Sequence, residues 1–331
     1  MTIAVIGAGA IGSVVAAYLS KAGQDVFLVA RPEQVKAINS DGLTITGVRG
    51  TENIRIRTAS RLDKPYDLVI FTVKTQDLEG AFSCNSEHLE TGFVLTTQNG
   101  VHADNLLSSH CDQLRQLTSI VMFGATYVNA DEITFNFEGD WIVGRPFSAL
   151  DPTAHKIGGI LSSAFKIVMR PDIMGMKYLK LFVNFNNCIP ALIGKTMQET
   201  FADMDLCRLS VLLLKEGIDI IQSAKIDIVS MPGFPQERIL GLTQMPLDKA
   251  AEIIQKALTG LSKEPLYGSI LQSILRARTS EIDFINGEVV QVSSSLKLSS
   301  PLNKEIVAMV HEVERTGKFF SVDDVKKKFN L

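Results

Sequence analysis

A glycine-rich loop near the start of the chain has the residue types and spacing for binding a dinucleotide pyrophosphate. Its members are Gly7, Ala8, Gly9, Ala10, Ile11 and Gly12. An apolar run, Ile3 to Ile6, precedes the loop, and a helical pattern, Val14 to Leu19, follows it. Gly7 permits the turn out of the strand, Gly9 lets backbone N–H groups approach the phosphates, and Gly12 lets the helix pack close to the sheet. The phosphates would sit at the positive end of the helix dipole. The alternative is a glycine turn without a ligand.

The residue after the second predicted strand indicates which nicotinamide cofactor is bound. This strand, Asp25 to Ala30, is followed by Arg31, about where a NAD-specific site places an acid for the ribose 2′-hydroxyl. A guanidinium stays charged and can hydrogen-bond two phosphate oxygens at once, so Arg31 suits a 2′-phosphate. We therefore predict NADPH rather than NADH. Alternatively, Arg31 is a solvated cation of the loop before Pro32.

Two further predicted strands lead into polar residues. The strand Asp67 to Val73 ends in Lys74, and the strand Phe93 to Thr97 is followed by Gln98, Asn99 and Gly100. Ligands of open α/β sheets bind at the carboxyl ends of the strands, so we expect Lys74 and Asn99 to face the cofactor and its neighbour. The alternatives are a surface cation and an ordinary turn.

One predicted helix in the second half of the chain has a polar face. At 100° per residue, Asn184 lies about 40° from Lys180, and Asn187 about 20° from it on the other side. The residues between them are mostly apolar. Such a polar stripe either lines a cleft or is costly to bury, because amides and ammonium groups need partners away from water. Alternatively, the amides bond to neighbouring helices and Lys180 extends outward to solvent.

A third polar cluster begins at Ser269 and continues through the run Arg278 to Gly287, with the sequence RTSEIDFING. Taken alone, it is typical of a solvated helix face with Ser269 as its N-cap and a glycine at its end.

Composition restricts the class of protein. The chain has 331 residues, of which 46% are hydrophobic and 21% charged, as in folded proteins with about two domains. A net charge of −3 gives no reason to expect nucleic acid or an anionic membrane as partner. The four cysteines have no CxxC spacing and no signal peptide precedes the glycine loop, so we expect reduced thiols and a cytoplasmic location. No apolar run is long enough to span a bilayer.

The order of predicted elements indicates an α/β domain followed by a helical one. The first half alternates strands and helices, which predicts a mostly parallel sheet covered on both faces. Further strand candidates include Ile54 to Arg57 and Ile120 to Phe123, and the alternation from Ile133 to Val143 suggests an antiparallel hairpin or meander. From about Asp172 the period is helical. We predict domains at residues 1–168 and 169–331.

These motifs, taken in order, strongly resemble the ketopantoate reductase family. The resemblance spans nearly the whole chain, and RTSEIDFING, close to the family's R-x-T-E-I-D-x-I-N-G run, is its most specific part. It implies NADPH-dependent reduction of 2-dehydropantoate, a 2-keto acid, to pantoate, in pantothenate biosynthesis. It also implies a Rossmann-type doubly wound sheet followed by an all-helical domain similar to that of 6-phosphogluconate dehydrogenase.

The resemblance also implies roles for individual residues. Lys180 matches the proton donor, Asn184 and Ser269 match substrate-binding residues, and Lys74 and Asn99 match residues near the nicotinamide, with Asn99 also near the substrate. Glu281 matches an acid near cofactor and substrate, where it would orient the Lys180 ammonium. An ammonium there can stabilise and protonate the oxygen that becomes charged when hydride reaches C2. The reaction needs no metal.

The chain departs from the family's pattern at two places. Cys188 stands where the family has its second helix asparagine, and Asn187 is the candidate to replace it. The segment Val229 to Pro265 looks longer than in compact members and resembles an inserted loop and helix.

The departures leave alternatives open. These are a reductase or dehydrogenase of another 2-keto or 2-hydroxy acid, including an opine-type enzyme, and a non-catalytic NADP(H)-sensing module. The sequence does not decide the assembly state, and a homodimer is one candidate.

Overall fold

The computed structural model describes residues 1–262 and 264–331. The chain folds into two compact units, unit 1 from Met1 to Met174 and unit 2 from Gly175 to Leu331. The division lies after residue 174 rather than at the predicted 168, because the strand Ile167–Met169 pairs with the strand Trp141–Gly144 and so belongs to the sheet of unit 1.

Unit 1 combines two β-sheets with five helices. Its strands are β1 (Thr2–Ile6), β2 (Asp25–Val29), β3 (Leu43–Gly47), β4 (Glu52–Ile54), β5 (Arg57–Ala59), β6 (Leu68–Phe71), β7 (Phe93–Thr96), β8 (Gln116–Val121), β9 (Gly124–Tyr127), β10 (Glu132–Phe137), β11 (Trp141–Gly144) and β12 (Ile167–Met169). Its helices are α1 (Ala10–Lys21), α2 (Pro32–Asp41), α3 (Leu78–Ser83), α4 (His102–Ser108) and α5 (Pro152–Leu161).

The larger sheet has the strand order β12-β11-β8-β7-β6-β1-β2-β5. Every neighbouring pair in it is parallel except β8 with β11. Ile3 and Val5 pack into the core on one face with residues of α1, and Ala4 and Ile6 pack on the other with residues of α3 and α4. A sheet buried on both faces needs apolar strands; β6 is apolar throughout, and β1 is apolar and buried after Thr2.

The smaller sheet, in the order β4-β3-β10-β9, packs on helix α1. It corrects two predictions. Ile54 to Arg57 is not one strand, because β4 ends at Ile54 in the small sheet and β5 begins at Arg57 in the large one. Ile133 to Val143 is not one hairpin either: β10 pairs antiparallel with β9, whereas β11 pairs with β8 and β12. Alternation along a strand reports which face is buried, not which strand is its partner.

Unit 2 is helical in its described residues, apart from a single β-bridge between Met231 and Phe234. Its helices are α6 (Ile173–Asn184, whose first turn contains the division), α7 (Cys188–Ile193), α8 (Met197–Phe201), α9 (Met204–Ser223), α10 (Glu237–Gln244), α11 (Leu247–Thr259), α12 (Ser269–Leu275), α13 (Asn286–Ser295), α14 (Pro301–Thr316) and α15 (Val322–Phe329). The predicted fold class, a doubly wound α/β sheet followed by a helical part, is confirmed.

The long segment Val229 to Pro265 contains two helices, α10 and α11, where one inserted helix was predicted. Its residue Lys263 lies outside the described residues. Helix α11 packs on α8 and α9 and buries Ala250, Ala251 and Ile254, so much of this segment belongs to the core of unit 2.

All four cysteines are unpaired, with Cys84 exposed and Cys188 and Cys207 buried. No helix among the described residues combines the length and the apolar character needed to cross a bilayer.

Candidate functional site

The three glycines of the loop after β1 differ in what surrounds them. Gly7 has φ +114°, which an L side chain rarely adopts. A Cβ at Gly12 would lie 2.0 Å from Gly7 O and 2.2 Å from Thr72 Oγ1, so only glycine allows α1 to approach the strands this closely. A Cβ at Gly9 would meet no protein atom within 4 Å. Gly7 and Gly12 are therefore required by the fold, whereas the space beside Gly9 is open.

The first turn of α1 has the properties of an anion site. Gly9 is its N-cap and provides no side-chain hydrogen bond, and the first turn contains no acidic residue. The N–H groups at the start of a helix lack acceptors within the helix and carry a partial positive charge. Together with the open space at Gly9, this arrangement fits the pyrophosphate of a dinucleotide.

Hydrogen bonds tie together the carboxyl ends of three adjacent strands, β1, β6 and β7. Thr72 Oγ1 donates to Gly7 O at 2.7 Å. Gln98 is buried, and its Nε2 donates to Phe71 O at 3.0 Å and Val73 O at 2.8 Å. These bonds fix the backbone on both sides of Lys74 and Asn99, which are both half-buried. Lys74 follows β6 by three residues rather than ending the strand, because pairing stops at Phe71.

Arg31 lies just after β2 and is linked to the glycine loop through Gln34. Gln34 is buried, its Nε2 donates to Ala8 O, and its Oε1 accepts from the backbone N–H of Arg31 at 3.4 Å. The Arg31 side chain is 61% exposed, and the nearest carboxylate oxygen, on the equally exposed Glu33, lies 3.9 Å from its Nη1. Arg31 is thus held by its backbone while its guanidinium is accessible.

In unit 2, helix α6 carries two lysines in different environments. Lys180 is half-buried and makes no hydrogen bond or ion pair with the residues that the structure describes. Burial lowers the pKa of Lys180, because removal from water disfavours the charged ammonium. An ammonium whose pKa is lowered releases its proton more readily. Asn184, the last residue of α6, is also half-buried.

Lys177, one turn before Lys180, is only 2% exposed. Burial raises the pKa of the Glu288 carboxyl in α13 to about 7. The charge of nearby Lys177 has the opposite, smaller effect on that pKa. Glu288 is 6% exposed, and its Oε2 has no hydrogen-bond partner among the described residues. Lys177 therefore belongs to a buried charge cluster inside unit 2, which distinguishes it from Lys180.

The face predicted for Lys180, Asn184 and Asn187 is interrupted after Asn184. A 3₁₀ turn, Phe185–Asn187, separates α6 from α7, so the 100° spacing does not hold across it. Asn186 turns inward and accepts a hydrogen bond from Ser210 of α9. Cys188 is 0% exposed, its Sγ donates to Phe185 O at 3.0 Å, and burial raises its pKa to about 12. Cys188 therefore lies in the core of unit 2 rather than at an accessible surface.

Asn187 and Ser269 lie next to each other. Asn187 Nδ2 donates to Ser269 Oγ at 3.3 Å. Gly268 permits this approach, since a Cβ there would lie 2.9 Å from Asn187 Oδ1. Ser269 is the first residue of α12, and Gly268, not Ser269, is the N-cap. An amide and an exposed hydroxyl that are 82 residues apart in sequence thus form one polar pair.

The run RTSEIDFING is not a continuous helix. It contains a 3₁₀ turn, Ile282–Phe284, with half-buried Glu281 at its N-cap, and its Asn286 and Gly287 begin α13 instead of ending a helix. Asn286 is fully buried and its Nδ2 donates to Asn303 Oδ1 at 3.1 Å. The last residues of the run therefore serve the core of unit 2, whereas Glu281 lies nearer the surface.

Comparison with known proteins decides the family. Residues 3–146 match the family described as ketopantoate reductase PanE/ApbA, and residues 172–314 match its C-terminal part. The chain belongs to the ketopantoate reductase family. It is accordingly an oxidoreductase.

Curated relatives in this family are similar along their whole length. A protein of Pyrococcus horikoshii named 2-dehydropantoate 2-reductase is 27% identical over 325 residues, covering 96% of this chain and 99% of the relative. A Vibrio cholerae protein of the same name is 26% identical over 320 residues, covering 96% of this chain and 99% of the relative.

Solved structures show the same fold. A PanE/ApbA family ketopantoate reductase from Ralstonia eutropha JMP134 superposes with a TM-score of 0.80 at 22% identity, covering 95% of this chain and 99% of the other. D-mandelate dehydrogenase, solved with NADH and anilino(oxo)acetate, superposes with a TM-score of 0.82 at 19% identity, covering 96% and 99%.

Three positioning residues were not identified from the sequence. Gln34, Thr72 and Gln98 bond to backbone groups of distant segments and so hold the glycine loop and the strand ends in place. The one signal in the sequence is that Thr72 and Gln98 are polar residues placed directly after apolar strands, at the edge where ligands bind.

Proposed function

We propose that this chain is an NADPH-dependent reductase that converts 2-dehydropantoate to pantoate, with Lys180 as the proton donor. The observation that supports the proposal is the environment of the Lys180 side chain, in a chain that belongs to this family. It is half-buried, its pKa is lowered by burial, and it has no partner among the described residues.

The residues of unit 1 fit a nicotinamide dinucleotide. The open space at Gly9 and the uncapped first turn of α1 would hold the pyrophosphate, with Gly7 to Gly12 as its loop. Arg31 would bind a 2′-phosphate, and Lys74 and Asn99 would lie near the nicotinamide. A bound cofactor supplies hydride to C2 of the keto acid. D-mandelate dehydrogenase, a solved protein of the same fold, contains NADH in its structure, which supports a nicotinamide cofactor here.

Lys180 would complete the reduction. The carbonyl oxygen of a 2-keto acid gains negative charge as C2 is reduced, and the ammonium stabilises that charge and then donates a proton from Nζ to the oxygen. Glu281 makes no bond to Lys180 in this structure, so it would orient the ammonium only when substrate and cofactor are bound. Because Lys180 is half-buried, its amine can afterwards recover a proton from water.

The substrate would be held by neutral polar groups. Asn184 lies one helical turn beyond Lys180, and the Asn187–Ser269 pair offers an amide and a hydroxyl at 3.3 Å from each other. Groups that fix a substrate against a proton donor lower the barrier by orientation. A site that hydrogen-bonds a hydroxyl of the substrate also discriminates against acids that lack it.

Steady-state kinetics with a panel of 2-keto acids tests the proposal. NADPH oxidation is followed by its absorbance with 2-dehydropantoate, 2-ketoisovalerate and phenylglyoxylate, and the corresponding hydroxy acids are offered with NADP. We expect the highest kcat/KM for 2-dehydropantoate. Activity confined to another keto acid, or to the oxidative direction, would overturn 2-dehydropantoate reduction as the function. Only the assignment to the oxidoreductases would then stand. NADPH binding without turnover on any acid would identify a sensing module instead.

A further inference from the structure

Strand β5, at the edge of the large sheet, brings a second arginine to the position of Arg31. The parallel register of β2 with β5 pairs Val29 with Ala59, and the backbone N–H of Ala30 donates to Ala59 O at 3.0 Å. Arg31 follows Ala30 directly, and Arg61 lies two residues after Ala59, so both arginines come just after the ends of two neighbouring strands. Neighbouring strands lie about 5 Å apart, so the two arginines belong to the same carboxyl edge of the sheet.

The backbone on both sides of Arg61 is anchored. Ala59 accepts the hydrogen bond from Ala30, and the N–H of Leu62, a buried residue, donates to Asn85 Oδ1 at 2.8 Å. The Arg61 side chain is exposed and makes no hydrogen bond or ion pair with any residue that the structure describes. A fixed backbone with a free guanidinium is the arrangement expected of a ligand-binding arginine.

Other arginines of this region are already engaged. Arg57, at the opposite end of β5, bonds to Asp25 Oδ1 at 2.6 Å, and Arg55 Nη1 donates to Ser40 O at 2.7 Å. Arg61 differs from both because it lies at the carboxyl edge and has no partner among the described residues. Two exposed carboxylates belong to this region: Glu33 lies 3.9 Å from Arg31, whereas Asp63, two residues after Arg61, accepts a hydrogen bond from Tyr66 at 2.7 Å and makes no ion pair with Arg61.

We propose that Arg61 is a second ligand of the 2′-phosphate of NADPH and, with Arg31, determines the choice of cofactor. The proposal rests on the proposed function, which assigns the 2′-phosphate to Arg31. A phosphate monoester carries a charge of about −1.5 to −2 at pH 7 and has three acceptor oxygens, more than one guanidinium can satisfy. Two arginines supply both the missing charge and the missing donors.

Cofactor binding measured without a keto acid tests the proposal. NADPH and NADH are titrated by fluorescence and calorimetry into the wild-type chain, Arg61→Ala, Arg61→Gln and the control Arg57→Ala. We expect both Arg61 variants to raise the Kd for NADPH about tenfold or more, since a hydrogen bond to a charged group contributes about 1.5 to 3 kcal/mol. The Kd for NADH should change less than about twofold. Arg57→Ala should behave as wild type toward both cofactors.

The outcomes separate this inference from the proposed cofactor. If the wild-type chain binds NADPH and NADH equally, the NADPH assignment fails and the role of Arg61 fails with it. If the wild-type chain prefers NADPH and the Arg61 variants keep the full preference, only the Arg61 proposal is overturned. A loss that is equal for NADPH and NADH would also overturn it, because the 2′-phosphate is the one group that distinguishes them. Arg61 is exposed and unbonded to the described residues, so its variants should unfold at the wild-type temperature.

Discussion

The candidate functional residues of the two units are positioned in different ways. In unit 1 the glycine loop and the strand ends are defined by the backbone: Gly7 by its positive φ, Gly12 by contacts that exclude a Cβ, and the strand ends by hydrogen bonds to main-chain oxygens. In unit 2 the site consists of side chains on helices separated by turns, with Lys180 and Asn184 on α6 and Ser269 on α12.

This difference determines which substitutions separate folding from function. In the glycine loop of unit 1, one added methyl group decides between a folded loop and a distorted one, so among the three glycines a binding role can be isolated only at Gly9, where space is open. In unit 2, a side chain at the surface of a helix can be removed without disturbing the backbone. We therefore expect purely catalytic defects from substitutions in unit 2, and combined defects in folding and binding from substitutions at Gly7 and Gly12 in unit 1.

The largest expected effect comes from Lys180. Lys180→Ala should lower kcat about 10²- to 10⁴-fold, the usual range for a positioned proton donor, while the Kd for NADPH stays near the wild-type value. Lys215→Ala, which removes an exposed lysine of α9, is the matched control and should leave kcat unchanged. Stopped-flow or steady-state rates measure both. A Lys180→Ala protein with wild-type turnover would show that another group donates the proton.

The second effect tests the backbone half of the comparison. Gly12→Ala should destabilise the chain by about 1 to 3 kcal/mol or more. The new Cβ would overlap Gly7 O, so α1, which contains Gly12, would have to move away from the strands. Gly9→Ala should keep the wild-type unfolding midpoint and weaken NADPH binding, since its Cβ would occupy only the open space. Urea unfolding and cofactor titration give the two readouts. Equal stability of the two variants would remove the distinction between the glycines.

A third effect concerns the buried charges of unit 2. Burial raises the pKa of Glu288 to about 7 in the folded chain, whereas in the unfolded chain this carboxyl has its usual, lower pKa. At a pH between the two pKa values, the folded chain therefore holds a proton that the unfolded chain has released. This contribution to the free energy of unfolding is complete at acidic pH and is lost as the pH rises through about 7. We expect it to amount to about 1 to 3 kcal/mol.

Glu288→Gln should remove that pH dependence. Urea unfolding is measured at pH values from about 5 to 8, the range in which a carboxyl with a raised pKa titrates. The wild-type chain and Glu288→Gln are compared with the control Glu312→Gln, which changes an exposed carboxyl of α14. If the curves of wild type and Glu288→Gln run parallel across this range, Glu288 titrates as an ordinary carboxyl and the cluster with Lys177 does not control stability.

The smallest expected effect lies at the polar pair. Asn187→Ala should raise the KM for 2-dehydropantoate about tenfold, as expected from one lost hydrogen bond, with the Kd for NADPH unchanged. Cys188→Asn should not improve substrate use, because position 188 is fully buried, and it should instead cost stability because a larger side chain would have to fit there. Improved turnover by Cys188→Asn would mean that the helix register differs from the one described.

The sequence predicted the parts of the molecule that depend on local signals. A strand, three glycines and a helix follow each other within a few residues, so the loop before α1 and the class of fold could be inferred directly. Lys74 and Asn99 were placed at the correct edge of the sheet because each follows an apolar strand. The 3₁₀ turn after Asn184 could not be inferred, since apolar spacing does not distinguish it from a continuing helix.

Non-local pairing was the other limit. The residues Ile54 to Arg57 alternate as one strand would, yet they join two sheets, and the partner strands lie far away in sequence. Likewise, Gln34 and Gln98 bond to backbone atoms of segments that are distant in sequence. No local pattern marks a side chain that will bond to a distant main-chain oxygen.

The distribution of the four cysteines makes the natural chain suitable for site-selective labelling. Thiol reagents react with the thiolate, and burial raises the pKa of Cys188 and Cys207 to about 12 and also raises that of Cys111. Cys84, exposed at the end of α3, is left as the accessible thiol. A maleimide fluorophore should therefore attach first at Cys84 and give unit 1 a reporter without any engineered residue.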